Sequence, residues 1–250
     1  MPSDRQVLAA ARSSGLRRAA LAVRDVLYPP RCAACGRFEQ GFLCERCHEL
    51  LIPASGPGTC GNCSAPWDGA DFCPACMHWD ALDGARAAYR HEGPARALVH
   101  ALKYRRVRAI AQTLAPDIGG LLAAEQLTVA FPVPLHRRRV RSRGFNQAEA
   151  ILDHLALERP AGGLLRSRRT RSQVGLDLAA RRGNVAGAFD YRGERLDGAR
   201  VALIDDVLTT GATANECARV LKDFGASHVV AITFARANPP NRAWPTGGDG

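Results

Sequence analysis

Apolar positions after the first third of the chain change period repeatedly, from runs typical of strands to the wider spacing of helices. Short apolar runs occur at residues 85–89, 128–133, 201–204 and 228–234, and each predicts a strand. Helical spacing of apolar residues occurs at 94–102, 109–122, 147–157 and 212–224. Strands that alternate with helices are typical of an α/β fold with an open, mostly parallel sheet, which we expect to span residues 81–236.

Three shorter regions flank this predicted α/β domain. Residues 1–28 combine an apolar face that includes Leu16 and Val23 with interspersed arginines, which predicts an amphipathic helix packed on the protein or lying on a membrane surface. Residues 29–80 hold all the cysteines but one and form a separate predicted module. Residues 237–250 are rich in Pro, Gly and Asn and predict a disordered tail that Trp244 could anchor.

Composition narrows the choice of partners and compartment. With 46% hydrophobic residues in a chain of 250, the protein can bury one sizeable core beside a smaller module. The formal net charge of +10 favours polyanionic partners, among them phosphorylated sugars and nucleic acids. Because no segment has the pattern of a signal peptide or a transmembrane span, we predict a cytoplasmic protein whose thiols stay reduced.

The clustered cysteines form four Cys-x-x-Cys pairs. The pairs are Cys32/Cys35, Cys44/Cys47, Cys60/Cys63 and Cys73/Cys76. A two-residue gap lets both thiolates of a turn reach one ion, and two such turns supply the four sulfur ligands that structural Zn²⁺ prefers. The sequence therefore predicts a double zinc ribbon that holds two structural zinc ions.

The assignment of these cysteines to the two ions has alternatives. Loop length favours ligand sets taken in chain order, but a crossed arrangement of the pairs stays open. His48 or His78, which lie beside the pairs, could replace a thiolate. Disulfides would need an oxidising compartment, which the predicted location argues against. The remaining cysteine, Cys217, lies on a predicted helix and is interpreted as a small buried residue.

Candidate chemistry is concentrated where the predicted strand 201–204 leads into the predicted helix 212–224. The residues are Asp205, Asp206, Thr209, Thr210, Gly211, Ala212 and Thr213. Backbone N–H groups at a helix start favour a phosphate, glycine lets the main chain approach it, and threonine hydroxyls donate further hydrogen bonds. The carboxylates can accept from two vicinal sugar hydroxyls or hold a hydrated Mg²⁺. The stretch predicts a ribose-phosphate site, with a helix-capping acidic loop as the simpler alternative.

Two arginine-rich segments are predicted near the same edge of the sheet. Residues 134–147 follow a strand and form a predicted loop with arginines at 137, 138, 139, 141 and 143. Their guanidinium groups suit a departing pyrophosphate, while a solvated basic loop or a nucleic-acid contact is the alternative. Residues 166–189 hold further arginines with little apolar periodicity and predict a mobile lid.

Residues 201–213 resemble the signature of type I phosphoribosyltransferases that binds phosphoribosyl pyrophosphate (PRPP). That resemblance implies that Asp205 and Asp206 hold the ribose 2′ and 3′ hydroxyls. It also implies that residues 209–213 hold the 5′-phosphate.

The motifs taken in order resemble the ComF family of double-zinc-ribbon, phosphoribosyltransferase-like proteins. They are the four cysteine pairs, Leu102-Lys103-Tyr104, Pro132-Val133-Pro134, Arg143-Gly144-Phe145-Asn146-Gln147, Gln173-Val174-Gly175-Leu176, Arg181 with Asn184 and Phe189, and the Asp-Asp-Val-x-Thr-Thr-Gly-x-Thr loop. The resemblance spans about residues 21–236 and implies a type I phosphoribosyltransferase fold. In competent bacteria it also implies participation in the uptake of single-stranded DNA.

Two functions follow from these expectations. As an enzyme, the protein would bind PRPP with Mg²⁺ and transfer the phosphoribosyl group to an unidentified acceptor. Its candidate catalytic residues are Asp205, Asp206, Arg143 and Lys103, with Arg137 as a further pyrophosphate ligand. As an adaptor, it would handle single-stranded DNA through its arginines and ribbons, with a DNA-uptake helicase as partner. Asn146 and Gln147 are either acceptor-binding groups or structural residues at a helix start, and the ribbons could also mediate oligomer contacts.

Overall fold

The computed structural model describes most of the chain from residue 30 onward. The described ranges are 30–39, 41–69, 72–127, 129–157, 159–167, 185–238 and residue 244. The predicted helix at residues 1–28 lies outside them, as do most of the predicted lid and of the predicted tail. Within these ranges, no helix is both long enough and apolar enough to span a membrane.

Strands and helices alternate along the α/β domain, as the sequence predicts. In chain order the elements are α1 (Glu45–Glu49), β1 (Gly84–Arg90), α2 (Gly93–Tyr104), α3 (Ile110–Ala124), β2 (Val129–Pro132), α4 (Arg137–Arg143), α5 (Gln147–Leu152), β3 (Gly162–Arg166), β4 (Phe189–Gly193), β5 (Arg200–Leu208), α6 (Ala212–Asp223) and β6 (His228–Arg236). Strands β1, β6, β5 and β2 form, in that spatial order, one parallel sheet. The predicted α/β class with a parallel sheet is confirmed.

The two faces of the sheet are covered by different elements, because successive side chains of a strand point to opposite sides. Ala202 and Ile204 of β5 pack with α2, α3 and α5 in one buried cluster. Val201 and Leu203 pack on the other face with α6 and the β3–β4 hairpin. Cys217 of α6 is fully buried in this second cluster, which confirms its interpretation as a core residue. Burial on both faces explains the continuous apolar runs of the central strands.

The arginine-rich segment that we predicted as a loop is a helix, α4. Arginine is a good helix former, and capping residues at both ends define where the helix begins and ends. His136 caps the start, where its Nδ1 accepts from the Arg138 N–H at 3.2 Å. Gly144 ends the helix in the left-handed conformation, with φ of 89°.

Two other predictions about elements need correction. Strand β5 does not end at Ile204 but runs through both aspartates to Leu208, because it stays paired with β6 over that length. The first and last residues of the predicted lid belong to two strands that the sequence did not predict. Strands β3 and β4 pair antiparallel, with Arg166 opposite Phe189. Strand β3 shows little alternation of buried and exposed residues, and the alternation of β4 spans only four residues, which is too short a run to predict a strand by itself.

The cysteine-rich module adds to the free edge of the sheet at β1. Pro53 forms an isolated bridge with Tyr89, and the Arg90 N–H donates to the Ile52 carbonyl at 2.8 Å. The Ala85 N–H donates to the Asn62 carbonyl, also at 2.8 Å. Both halves of the module therefore cover an edge strand whose backbone groups would otherwise face solvent.

Candidate functional site

The carboxyl end of β5 opens into a cavity of about 170 Å³. Its wall includes most of the predicted PRPP-site residues, namely Lys103, Arg143, Asp205, Asp206, Thr209, Gly211, Ala212 and Thr213. The exceptions are Thr210, which is buried and lines a different cavity, and Arg137, which lines a third. The cavity lies where open parallel sheets usually bind ligands, beyond the carboxyl ends of the strands.

The two aspartates of β5 have different surroundings. Asp206 is almost fully buried, and its Oδ1 lies 2.9 Å from Nζ of Lys103 on α2. Its Oδ2 is buried with no hydrogen-bond partner among the described residues. The Oδ1 of Asp205 accepts from the Asp206 N–H at 2.9 Å. Burial, and next the negative charge of Asp206, raise the pKa of Asp205 to about 7, although Lys103 acts in the opposite direction.

The loop between β5 and α6 is held in a conformation that only glycine accommodates. Gly211 has φ of +76°, and a Cβ atom there would lie 2.5 Å from the ring of Trp79. The Trp79 Nε1–H donates to the Thr210 carbonyl at 3.1 Å. Helix α6 starts at the next residue, Ala212, so its first N–H groups and its positive end face the loop. We call residues 209–213, which the sequence predicts to hold a 5′-phosphate, the phosphate loop.

Positive side chains line the cavity opposite the phosphate loop. Arg139 and Arg143 lie one turn apart on α4, and Arg166 joins them from the end of β3. Burial, and next the charge of Arg139, lower the pKa of Arg166, as expected when guanidinium groups converge. Arg137 does not reach this cavity and lines a neighbouring one of about 430 Å³, so its predicted role finds no support in its position.

Asn146 and Gln147, which the sequence leaves as either ligand-binding or structural residues, have different positions in the structure. Asn146 is structural, and Gln147 lines the cavity. Asn146 caps α5, accepting from the Ala148 N–H and donating to the Val133 carbonyl, both at 3.1 Å. Gln147 lines the cavity and accepts from Arg143 at 3.1 Å. Its Nε2 is buried without a partner in the described part of the chain. Buried polar groups nearly always have partners, so this donor, like Oδ2 of Asp206, indicates a polar ligand.

The sequence predicts Arg139 only as one of five candidate arginines and does not predict the contacts of Trp79 and Arg236. Helical spacing singles out Arg139 with Arg143, because the two lie one turn apart on the same face of α4. Trp79 and Arg236 carry no local signal, since each contacts residues more than twenty-five positions away.

The eight paired cysteines form two separate clusters. Cys32, Cys35, Cys44 and Cys47 form one, and Cys60, Cys63, Cys73 and Cys76 form the other. Within each cluster all sulfur atoms lie within 4.8 Å of one another. Neither cluster includes His48 or His78, so ligand sets in chain order are confirmed and the crossed arrangement is wrong.

The sulfur geometry fits zinc. The Sγ atoms of Cys35 and Cys44 lie 3.7 Å apart, as do those of Cys63 and Cys73. Tetrahedral ligands at a Zn–S distance of about 2.3 Å are separated by about 3.8 Å. A disulfide would need about 2.05 Å. The clusters therefore suit two structural zinc ions rather than disulfides.

Comparison with protein families and curated proteins identifies relatives over most of the chain. Residues 23–77 match the double zinc ribbon domain. Competence protein F of Haemophilus influenzae is 37% identical over 112 residues, which are 42% of this chain and 49% of that protein, about half its length. DNA utilization protein YhgH of Salmonella typhimurium is 29% identical over 79% of this chain and 86% of its own length. Competence protein ComFC of Bacillus subtilis is 26% identical over 78% of this chain and 84% of its own.

Solved structures show a partial likeness. One is UMP synthase of Leishmania donovani, with 21% identity, a TM-score of 0.31, and coverage of 54% of this chain and 24% of that chain. Another is a hypoxanthine phosphoribosyltransferase of Staphylococcus aureus, with 12% identity, a TM-score of 0.31, and coverage of 52% of this chain and 73% of that chain. At these identities the likeness concerns the fold alone.

Proposed function

We propose that this chain, which is similar to competence protein F, to ComFC and to YhgH and carries a double zinc ribbon, binds PRPP in the cavity at the end of β5 and transfers the phosphoribosyl group. One observation carries this proposal: the cavity presents a carboxylate pair, a helix-start loop and a group of positive side chains together. PRPP has three matching parts, which are vicinal hydroxyls, a 5′-phosphate and a pyrophosphate.

Each part of PRPP finds a group of suitable charge. Asp205 and Oδ2 of Asp206 accept from the ribose hydroxyls, which gives the buried oxygen a partner. The phosphate loop and the start of α6 hold the 5′-phosphate. Arg139, Arg143 and Lys103 bind pyrophosphate oxygens, and the guanidinium groups can do so in bidentate fashion.

Magnesium fits the same site. Carboxylates and phosphate oxygens are the hard ligands that Mg²⁺ prefers, and Asp205 and Asp206 supply the protein's share. When bound, Mg²⁺ offsets negative charge on the pyrophosphate. Asp205, with its pKa raised to about 7, can take or release a proton near neutral pH as ligands enter.

In the transfer, the bond from ribose C1 to the pyrophosphate oxygen breaks, and that oxygen keeps the electron pair. The acceptor forms a new bond to C1 from the opposite face and gives up a proton. Arg139, Arg143 and Arg166 stabilise the charge that develops on the departing pyrophosphate. Gln147 lines the cavity and holds Arg143 in place through its Oε1, so it helps to position the leaving group.

A second function is favoured by the other side of α4. Arg137, Arg138 and Arg141 are exposed and do not line the proposed PRPP cavity. Arg139 and Arg143, on the neighbouring face of the helix, are half-buried and do line it. Exposed arginines in this arrangement suit the backbone of single-stranded DNA. The names of the relatives, which refer to competence and DNA utilization, agree with such a role. We therefore propose DNA uptake or use as the process that the protein serves.

The proposed functions are separated by titrating matched variants with two ligands. Wild-type protein should bind PRPP with Mg²⁺ in a calorimeter, and Asp205→Asn/Asp206→Asn should weaken binding at least about 100-fold, because two hydrogen bonds to charged groups are lost. Asp197→Asn, a change at an exposed carboxylate, is the control. Absence of wild-type binding would reject PRPP as the ligand.

Arginine pairs on α4 complete the experiment. Arg139→Gln/Arg143→Gln should weaken PRPP binding and leave single-stranded DNA binding nearly intact. Arg138→Gln/Arg141→Gln should weaken single-stranded DNA binding and leave PRPP binding nearly intact. The slope of log affinity against log salt concentration should fall by the amount expected for about two lost phosphate contacts. If both pairs affect both ligands equally, the two-sided use of α4 is wrong. Pyrophosphate release on addition of candidate acceptors then tests the transfer itself.

A further inference from the structure

Arg236, the last residue of β6, connects the second cysteine cluster to the phosphate loop. Its side chain is completely buried. The Nε–H donates to the Cys63 carbonyl at 2.9 Å, and Nη1 donates to the Leu208 carbonyl at 3.0 Å. The same Nη1 also donates to the carbonyl of Thr209. One rigid guanidinium therefore contacts both the metal-ligand turn and the entry to the phosphate loop.

Trp79 makes a second connection between the same two places. It lies three residues after Cys76, and its ring packs against Gly211. Its Nε1–H donates to the carbonyl of Thr210. The carbonyls of three successive residues, 208, 209 and 210, are thus held by side chains tied to the second ribbon.

Fixing these carbonyls also fixes the N–H groups that a phosphate would need. In a planar trans peptide, the carbonyl of one residue and the N–H of the next point in opposite directions. Carbonyls held toward Arg236 and Trp79 therefore direct the N–H groups of Thr209, Thr210 and Gly211 away from the ribbon. A shift of the Cys63 turn would release the carbonyls and change the direction of these donors.

A comparable arginine does not reach the loop. Arg86 of β1 donates from Nη1 to the Asn62 carbonyl of the same turn at 3.2 Å. Its Nε–H pairs with Glu125 at 2.6 Å, at the end of α3. Arg86 and Arg236 thus both join the second ribbon to the sheet, but only Arg236 contacts the phosphate loop.

We propose that Arg236 is a positioning residue for the phosphate loop, and that zinc binding by the second cysteine cluster is thereby coupled to phosphate binding by the loop. The second ribbon then regulates the site as well as stabilising the fold. Coupling between two binding sites is reciprocal, so zinc strengthens binding of the phosphorylated ligand and the ligand slows loss of zinc. The identity of that ligand rests on the proposed function, whereas the ordering of the loop by Arg236 does not.

Hydrogen exchange tests the ordering without any ligand. In zinc-loaded protein, Arg236→Lys should raise exchange in peptides that cover residues 205–214 by about tenfold, within the range of ordinary coupling, while Arg86→Lys changes it less than about twofold. Trp79→Phe keeps an aromatic side chain but removes the donor to Thr210, and should raise exchange there even if Arg236→Lys fails to fold. Unchanged exchange in the folded variants would overturn the proposal.

Zinc release to a chelator tests the coupling. With Mg²⁺ and PRPP, one of the two zinc ions should leave wild-type protein about fivefold more slowly, and Trp79→Phe should lose that protection. Cys44→Ser, which disables the first cluster, should keep it. If PRPP binds in the calorimeter but protects neither zinc, coupling is wrong and the PRPP site stands. If PRPP does not bind, the proposed function fails, and hydrogen exchange after Cys73→Ser compared with Cys44→Ser decides the coupling.

Discussion

The two halves of the cysteine-rich module share one sequence signature and have different neighbours. In the first half, Phe42 and Leu43 pack against the apolar cluster formed by α2 and α3. In the second half, Trp79 and the Cys63 carbonyl reach the phosphate loop, directly or through Arg236. The comparison shows that an identical set of metal ligands can support a fold at one place and adjoin a binding site at another, because tertiary neighbours differ.

The same contrast appears in the backbone. Gly36, beside the first cluster, and Gly211, in the phosphate loop, both have φ of +76°. A Cβ atom at Gly36 would meet nothing within 4 Å, whereas at Gly211 it would collide with Trp79. Equal backbone conformations therefore tolerate substitution differently.

The largest expected effect comes from these two glycines. Gly36→Ala should lower the free energy of unfolding by about 1 kcal/mol, the cost of a left-handed conformation for alanine. Gly211→Ala should lower it by about 3 kcal/mol, because overpacking against Trp79 is added. PRPP affinity should fall only for Gly211→Ala. Urea unfolding and calorimetry measure both quantities.

A double variant sharpens this prediction. In a Trp79→Ala background, Gly211→Ala should cost less free energy of unfolding than it does in the wild-type protein, since the colliding ring is absent. Equal losses for Gly36→Ala and Gly211→Ala would show that the ring does not confine the loop.

An intermediate effect is expected from Asp205, which precedes the loop that Trp79 of the second half contacts. Its pKa is raised to about 7, so the stability it contributes is complete below the ordinary carboxyl pKa and is lost as the pH rises through 7. The loss proceeds at about 1.4 kcal/mol for each pH unit and levels off above about pH 7, so this group should cost roughly 2 kcal/mol between about pH 5.5 and about pH 8. Asp205→Asn should remove that part of the pH dependence of urea unfolding.

The control for the pH experiment comes from the first cluster. In Cys44→Ser, overall stability falls, but the part of the pH dependence due to Asp205 should persist because no described residue of the first half lines the cavity at Asp205. PRPP binding should tighten with rising pH in wild-type protein, since the ionised carboxylate accepts the ribose hydroxyls. A wild-type profile identical to that of Asp205→Asn would contradict the raised pKa.

The smallest expected loss of stability concerns residues 80–82, which connect the second half of the cysteine-rich module to β1. Asn215 of α6 accepts through Oδ1 from the N–H groups of Asp80, Ala81 and Leu82, at 3.0–3.2 Å. Asn215→Ala should cost about 1.5 kcal/mol because three donors lose their acceptor. Arg219→Ala, which removes an exposed ion pair with Asp80, should cost about 0.5 kcal/mol in the same urea titration. Equal losses would mean that the amide does not fasten the segment.

Local patterns were sufficient for most of the fold. Residues 201–204 of β5 and 229–232 of β6 are apolar runs because these parts of the strands are buried on both faces, and α6 keeps helical spacing nearly to its predicted end. The β3–β4 hairpin was not predictable in this way, because its strands are short and its two halves are separated by more than twenty residues. The prediction of a loop at residues 137–143 is wrong, because the arginines form a helix that His136 and Gly144 cap. The charge pattern alone does not distinguish a basic loop from a basic helix.

The candidate site also contains residues that the sequence predicts together and residues that only the fold brings together. Asp205, Asp206 and the threonines of the phosphate loop are adjacent in sequence, so their chemistry could be inferred together. Lys103, Arg143 and Arg166 come from different elements, and only folding places them around one cavity. The unpartnered groups of Asp206 and Gln147 could not be inferred, because burial depends on every element that packs over them.

By itself, the sequence determined the α/β class, the two sets of four cysteines, and the acidic and threonine-rich loop, because each is encoded by spacing over a few residues. Only the tertiary structure decided which half of the module contacts that loop, which arginines face the cavity, and why Gly211 must be glycine. Those facts depend on contacts between distant segments, such as Trp79 with Thr210 and Arg236 with Cys63. Such contacts leave no periodic trace in the chain.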